Sequence, residues 1–101
     1  AEAMSAREAL WIATRGGAEV LGRHDCGRIA TGKRADIAIW DMSGVEAAGN
    51  WDMGAALLAG PTRVRDLLVE GRRIVADGQI TSIDLAGTLA RQRSLAAALM
   101  A

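Results

Sequence analysis

The chain has 101 residues and a formal net charge of zero, and half of its residues are apolar although Phe and Tyr are absent. A chain of this length is one domain or part of one, and it buries proportionately little surface. The balanced charge gives no electrostatic reason to expect nucleic acid or an anionic membrane surface as a partner. No apolar run approaches the roughly 18 residues that a membrane-spanning helix needs.

The first residues and the cysteine content bear on the cellular compartment. Residues 1–5 lack the basic and apolar regions of a signal peptide. The first residue is Ala, as expected either from removal of an initiator Met or from truncation of a longer chain. Cys26 is the only cysteine, which excludes an intrachain disulfide and fits a reducing cytosol. We therefore expect a cytoplasmic protein.

The N-terminal segment predicts an amphipathic helix within residues 1–22. Ser5 and Glu8 have the spacing of a capping box, apolar residues then recur every three or four positions, and Gly22 is a natural stop. The pair at 16–17 is Gly-Gly, and each glycine inside a helix costs about 1 kcal/mol relative to Ala. A continuous helix whose glycines allow a close packing contact is favoured; the alternative is a helix that ends near Arg15.

Residues 23–83 predict strands, turns and one short helix. The segment 35–40 is apolar at nearly every position and β-branched at two, which is typical of a central strand covered on both faces. Residues 43–50 are loop-like, and Asp52 is placed to cap a short helix near 52–59 that Gly60-Pro61 ends. A three-stranded meander follows at 63–69, 72–76 and 79–83, with turns at Glu70-Gly71 and Asp77-Gly78. The mixed charges of the meander indicate an ordinary solvated face; they are Arg63, Arg65, Asp66, Glu70, Arg72, Arg73 and Asp77.

The last segment, 84–101, predicts a helix capped by Asp84. Its inward stripe is expected to comprise Leu85, Leu89, Gln92, Leu95 or Ala96, and Leu99. Such a helix packs either on its own domain or on a partner. The whole order of elements predicts an α+β chain of about four strands. A sheet this small needs cover, which predicts either missing chain or a partner subunit.

Two glycine-containing motifs resemble the amidohydrolases of the cytosine-deaminase type. The first motif consists of Gly27, Ile29, Gly32, Lys33, Ala35 and Asp36, and the second is the hairpin 64–78 with its two turns. The segment 6–22 resembles the last helix of that family's (β/α)8 barrel. Residues 40–52 and 60–66 are most similar to the 8-oxoguanine deaminase and hydroxyatrazine-type chlorohydrolase branch. The resemblance extends from Ser5 to about Leu99.

The resemblance implies a fold and a reaction for a longer parent enzyme. This chain would supply the last barrel helix, the C-terminal half of a composite β-sandwich and a terminal helix. The parent would bind zinc or iron through a His-x-His pair, two further His and an Asp, and activate water against a C–N or C–halide bond. This chain has one histidine, and no catalytic, cofactor-binding or metal-binding residue of the family maps onto it. We expect none here.

Several residue clusters invite sharper interpretations, each set against a simpler one. His24, Asp25 and Cys26 are potential metal ligands, but adjacent residues seldom converge on one ion, and a turn is favoured. A Cys26–His24 nucleophilic pair lacks a recognisable oxyanion hole. The segment 27–33 is rich in glycine, but its spacing differs from that of a phosphate-binding loop, and a strand follows it instead of a helix.

Two further groups are weighed in the same way. Asp36 and Asp41 flank the strand as a paired-carboxylate site would, but acids at strand ends usually cap or lie in solvent. Trp11, Trp40 and Trp51 are expected to anchor a core, the alternative being a stacking platform for a base.

The leading hypothesis is the non-catalytic C-terminal portion of an amidohydrolase, whose partner is the missing barrel. The alternative is a stand-alone oligomerisation or interaction module descended from such an enzyme. We expect a homo-oligomer in the second case, with sheet or helix shared between copies. A small enzyme that uses His24 and Cys26 is the third and weakest interpretation.

Overall fold

The computed structural model describes residues 3–101, so residues 1 and 2 of the segment 1–22 lie outside the described residues. One continuous N-terminal helix runs from Ala6 to Val20, comprising α1 (Ala6–Trp11), a π-helical turn (Ile12–Gly16) and α2 (Gly17–Val20). Gly22, two residues after the end of the helix, has a φ of +69°, which is in the left-handed region that glycine adopts without strain. The predicted continuous helix is therefore confirmed, whereas the π turn was not predicted.

Local contacts explain the start of this helix and one of its glycines. The Ser5 Oγ accepts a hydrogen bond from the Glu8 backbone N–H at 3.1 Å, and a Glu8 carboxylate oxygen accepts one from Ser5 N–H at 2.9 Å, so the capping box is confirmed. A Cβ built on Gly16 would lie 3.1 Å from the Trp11 ring. The absence of a side chain at Gly16 thus allows the Trp11 indole to pack against the π-helical turn of the same helix.

Removing a cap gives a first test of these local contacts. We expect Ser5→Ala and Asp52→Ala each to lower the free energy of unfolding by about 1 kcal/mol, because each leaves helical N–H groups without an acceptor. Urea titration followed by circular dichroism measures the change. Ser94→Ala in the exposed middle of the last helix is the control, and an equal loss there would contradict the capping assignment.

Four strands form one antiparallel sheet in the order β1 (Ile37–Asp41), β2 (Arg63–Val69), β3 (Arg72–Ala76) and β4 (Gln79–Ile80). The two predicted turns are confirmed: the non-glycine residues Glu70 and Asp77 have φ of +51° and +48°, and a glycine follows each. The α+β class and the meander are therefore confirmed, and β4 is shorter than predicted.

The prediction that residues 35–40 form a central strand is wrong for the described chain. β1 starts at Ile37, pairs only with β2 and lies at an edge of the sheet. Along it, half-buried Ile37 and Ile39 alternate with exposed Ala38 and Trp40. The reason is that nothing within residues 3–101 covers the second face of β1 or pairs with its outer edge.

Two helices complete the chain. α3 (Met53–Ala59) is capped by Asp52, as predicted, and a 3₁₀ turn (Val45–Ala47) interrupts the segment predicted as loop. α4 (Leu85–Met100) is capped by Asp84, whose Oδ1 accepts from Gly87 N–H at 3.1 Å. No residue of α4 is buried in the described part of the chain. Of the predicted leucine stripe, Leu85 is half-buried and the other leucines, Leu89, Leu95 and Leu99, are exposed. None of the helices described is long and apolar enough to cross a membrane.

The core of the described chain is thin. Its buried residues are Ala18, Ala47 and Ala56, together with one carboxylate, Asp66. α3 lies against α1, and a Cβ on Gly54 would come within 3.3 Å of Leu10 Cδ1. Alanine removes little surface from water, and many of the large apolar side chains, including Val20, Ile29 and Trp51, are exposed. The described chain therefore gains little stability from hydrophobic burial.

Candidate functional site

The turn that follows the N-terminal helix is organised by Asp25. Its carboxylate accepts hydrogen bonds from Arg23 Nε and Nη2 at 3.0 and 2.9 Å, and Arg34 Nη1 lies 3.3 Å from Oδ2. The hydrogen bond from Arg23 holds the pKa of Asp25 well below its usual range, with help from Arg34 and against the opposing effect of burial. Asp25 therefore fastens the turn to the segment that leads into β1.

This turn does not fit the metal that the resemblance implies for a parent enzyme. Among residues 3–101 no three His, Cys, Asp or Glu side chains are placed to hold a metal ion. Both Asp25 oxygens are engaged by arginines, whose charge disfavours a cation beside them. His24, Cys26 and Glu19 line the same cleft, but they are not among any described group of three side chains placed to hold one ion. That the chain contributes no catalytic or metal-binding residue stays a prediction.

The glycines of segment 27–33 serve backbone turns. Gly27 and Gly32 have φ of +90° and +84°. Lys33 Nζ donates to the carbonyl oxygen of His24, so this lysine binds its own turn. A coil follows and then β1 instead of a helix, which agrees with the turn interpretation.

The acids near the ends of β1 do not form a pair. Asp36 Oδ1 accepts a hydrogen bond from the Glu70 backbone N–H at 2.8 Å. At the other end, Asp41 Oδ1 accepts from the backbone N–H and the hydroxyl of Ser43 at 2.9 and 2.5 Å. The Ser43 hydroxyl is the main cause of the lowered pKa of Asp41. Each acid caps a different turn, so the capping interpretation is confirmed.

The three tryptophans lie in three different clefts. Trp11 and Trp40 are partly exposed, and Trp51 is 98% exposed. The prediction that they anchor a core is therefore wrong for the described chain, and the structure does not bring them together as a stacking platform either. A core anchor needs a second layer to fill, and residues 3–101 supply none on these sides.

An open apolar cleft of about 600 Å³ lies between the N-terminal helix and β1. We call it the helix–strand cleft. Its apolar lining includes Leu10 and Ala13 from the helix, Leu21 directly after it, and Ile37, Ala38 and Trp40 from β1. Surface of this kind, unfilled and apolar, is typical of a contact between parts of a protein.

Asp66 is the buried charge that the sequence interpretation missed. It is only 4% exposed, accepts a hydrogen bond from Arg65 Nε at 2.6 Å and lies 3.5 Å from Arg73 Nε. The hydrogen bond from Arg65 lowers the pKa of Asp66, with a smaller contribution from Arg73 and an opposing one from burial. Its place two residues from the apolar Val64 and Leu68 was the available signal, because residues two apart share one face of a regular strand. In the structure the pairing register of β2 shifts on both sides of Asp66, so the regular two-residue period is interrupted there.

Asp25 and Asp66, the two carboxylates that pair with arginines, make the stability of the chain sensitive to acid. Both folded-state pKa values lie below the ordinary Asp value of about 3.9, so their stabilisation is complete above that pH and is lost as the pH falls below it. We expect the urea midpoint of unfolding to be lower at pH 3 than at pH 5. The difference between the two midpoints should be smaller in Asp25→Asn and in Asp66→Asn than in the unsubstituted chain. Asp84→Asn is the control, and a fall that stays full in the double variant contradicts this origin.

Comparison with known proteins identifies the family. The profile of the amidohydrolase family matches residues 1–76. The chain belongs to the amidohydrolase family. Among curated relatives of this amidohydrolase chain, the 8-oxoguanine deaminase of Pseudomonas aeruginosa is 40% identical over 102 residues, which covers 100% of this chain and 23% of that protein.

Solved structures agree with this assignment. Zinc-complexed atrazine chlorohydrolase TrzN from Arthrobacter aurescens TC1 superimposes with a TM-score of 0.78 at 38% identity, covering 90% of this chain and 20% of that one. An adenosine deaminase from Xanthomonas campestris with bound zinc gives a TM-score of 0.80 at 29% identity, covering 91% and 22%. The predicted resemblance to the 8-oxoguanine deaminase and chlorohydrolase branch is confirmed, and this chain spans less than a quarter of the length of these relatives.

Proposed function

We propose that this chain is the non-catalytic C-terminal portion of a cytoplasmic, metal-dependent amidohydrolase. The parent would hydrolyse a C–N or C–halide bond on a purine-like or triazine-like ring. Relatives named as deaminases and as a chlorohydrolase support this reaction class. Within the parent, the work of this chain is to complete and stabilise the scaffold around the barrel.

The open helix–strand cleft carries the proposal. One wall is the N-terminal helix, which we assign to the outer ring of the barrel, and the other wall is β1, at an edge of the sheet. An edge strand offers unpaired backbone groups, and an apolar cleft offers area that is more stable out of water. A further strand and the barrel wall of the same parent would fill both, which makes residues 23–83 half of a composite β-sandwich.

A metal in the parent would be held elsewhere. Zinc is present in the related chlorohydrolase and adenosine deaminase structures. The His24, Asp25 and Cys26 turn does not fit such an ion, so the parent's metal ligands are expected on segments outside residues 3–101. The residues described contribute packing and hydrogen bonding, not the reaction itself.

The comparisons favour a hydrolase parent over a stand-alone oligomerisation module. Both hypotheses predict that the helix–strand cleft is covered, by the parent's own barrel in one case and by another copy in the other. A homo-oligomer, formed either by the parent or by this chain, remains a prediction that analytical ultracentrifugation measures.

The coding DNA upstream of Ala1 tests the proposal directly. We expect the reading frame to continue for about 300 further codons, enough for a (β/α)8 barrel and its loops. It should contain a His-x-His after an early strand, then further His and Asp residues. A start codon and ribosome-binding site immediately before Ala1 would overturn the enzyme assignment in favour of the module.

A chimera tests the scaffold role. We would replace the matching 102-residue segment of the Pseudomonas aeruginosa deaminase with this chain and measure ammonia release from 8-oxoguanine. Retained activity is expected, because the catalytic residues come from the host and the scaffold from this chain. The matched control carries Ile37→Asp and Ile39→Asp, which charge the half-buried face of β1 and should abolish a folded product. A control chimera as active as the first contradicts the role assigned to β1.

A further inference from the structure

A second, polar cleft lies where the N-terminal helix meets the turn 23–33. It has a volume of about 220 Å³ and contains four cationic side chains, Arg15, Arg23, Arg28 and Lys33. Glu19 is the one carboxylate on its lining, and Cys26 also faces it. We call it the arginine cleft. It is separate in character from the apolar helix–strand cleft, although Ala18, Cys26 and Arg28 border both.

The cleft has an excess of positive charge that its own neighbours do not neutralise. Asp25 pairs with Arg23 at 2.9 Å, and Glu19 balances one further cation. Within residues 3–101, neither Arg15 nor Arg28 lies within 4.0 Å of a carboxylate oxygen. The C-terminal end of the helix adds only about half a negative charge. Four cations, two carboxylates and the helix end together leave a net excess of about one and a half positive charges.

We propose that the arginine cleft binds a small multivalent oxyanion of the phosphate class, either inorganic phosphate or the phosphate group of an ester. Arginine presents a planar fork of donors that matches phosphate oxygens, and the forks of Arg15 and Arg28 are not committed to a carboxylate. A volume of 220 Å³ admits one phosphate group with a few waters but not an extended polymer segment. This inference does not depend on the reaction assigned to the parent enzyme.

Cys26 supplies a local reporter of occupancy. It is the only cysteine of the chain, it is partly exposed, and it borders the cleft. The dianionic disulfide DTNB reacts with it when the thiolate attacks one sulfur, forms a mixed disulfide and releases one thionitrobenzoate, which is followed by absorbance. An anion seated among the arginines should slow this reaction by repulsion and by occlusion.

The experiment titrates the full chain with inorganic phosphate at constant ionic strength and measures the rate of DTNB reaction. We expect the rate of DTNB reaction to fall and then level off as phosphate saturates the cleft. Iodoacetamide is neutral and is not repelled by a bound anion, so its rate should fall less, and only because the anion blocks access to Cys26. Arg15→Gln and Arg28→Gln should each raise the phosphate dissociation constant at least about fivefold, because fivefold is the factor for one pair of unit charges at about 4 Å in water and phosphate carries more than one charge. The matched control is Arg91→Gln with Arg93→Gln in α4, which should leave the constant unchanged.

The outcomes separate the possible sources of the effect. Glycerol phosphate that competes as well as inorganic phosphate identifies the ester as an accepted ligand; competition by inorganic phosphate alone identifies the free ion. The proposal is overturned if the DTNB rate falls linearly with phosphate and sodium chloride has the same effect. It is also overturned if neither Arg15→Gln nor Arg28→Gln changes the phosphate dissociation constant. Tighter competition by an acidic peptide, which would make the cleft a protein contact, overturns it as well. Phosphorus NMR titration of the unsubstituted chain gives the dissociation constant without relying on any variant.

Discussion

Replacing Gly27 by Ala is expected to lower the free energy of unfolding by about 2–4 kcal/mol, through backbone strain and a steric clash together. Gly27 has a φ of +90°, in the region that L side chains rarely adopt. An added Cβ would lie 2.9 Å from the Ala18 Cβ and 3.1 Å from the Thr14 carbonyl oxygen. Neither neighbour can yield easily, because both belong to the N-terminal helix.

Gly32→Ala is the matched control for this prediction. Gly32 has nearly the same φ, +84°, but an added Cβ meets no atom within 4 Å. It should therefore cost only the strain term of about 1–2 kcal/mol. Urea unfolding of the two variants measures the difference. If Gly27→Ala and Gly32→Ala lose the same free energy of unfolding, the turn does not pack against the helix. The helix and the turn would then not form a shared wall of the two clefts.

Burying a charge at Ala56 is expected to have the largest effect of all on stability. Ala56 is 4% exposed and belongs to α3, which packs against α1. Ala56→Asp places a carboxylate there without a partner, and an uncompensated buried charge costs about 3–5 kcal/mol. A chain with so thin a core has little stability to lose, so we expect this variant to be largely unfolded.

The control is the same substitution three positions later. Ala59 is exposed at the end of α3, and Ala59→Asp should cost less than about 1 kcal/mol through helix propensity and the helix dipole. Circular dichroism and urea titration distinguish the two, and the same pair can be placed in the deaminase chimera and followed by thermal denaturation. If Ala56→Asp is no worse than Ala59→Asp, then α3 does not pack on α1 in solution.

Sequence patterns predicted most of the elements, because their signals are local. The capping box at Ser5, the caps Asp52 and Asp84, and the two glycine turns of the meander all act over a few residues. Such contacts form whatever the rest of the molecule does, which is why these boundaries agree with the structure. The family resemblance was available for a related reason, since its motifs are turns with demanding backbone geometry at Gly27 and Gly32.

Three features needed the tertiary structure. Asp66 is buried only because β2 turns that side chain inward and places the arginines at 65 and 73 against it. The arginine cleft exists because the turn 23–33 folds back on the helix end, which brings together cations that are up to 18 positions apart in sequence. The edge position of β1 follows from pairing between distant segments.

The sequence by itself determined the helices, the turns, the meander and the family, since each depends on periodicity or on backbone geometry within a short window. Only the tertiary structure decided which apolar side chains are buried against another part of the protein. Trp51, Trp40 and the leucines of α4 read as core residues in the sequence because hydrophobicity marks a preference for burial, not the presence of a partner surface. In the described chain that surface is absent around them, and burial is a property of two packed layers.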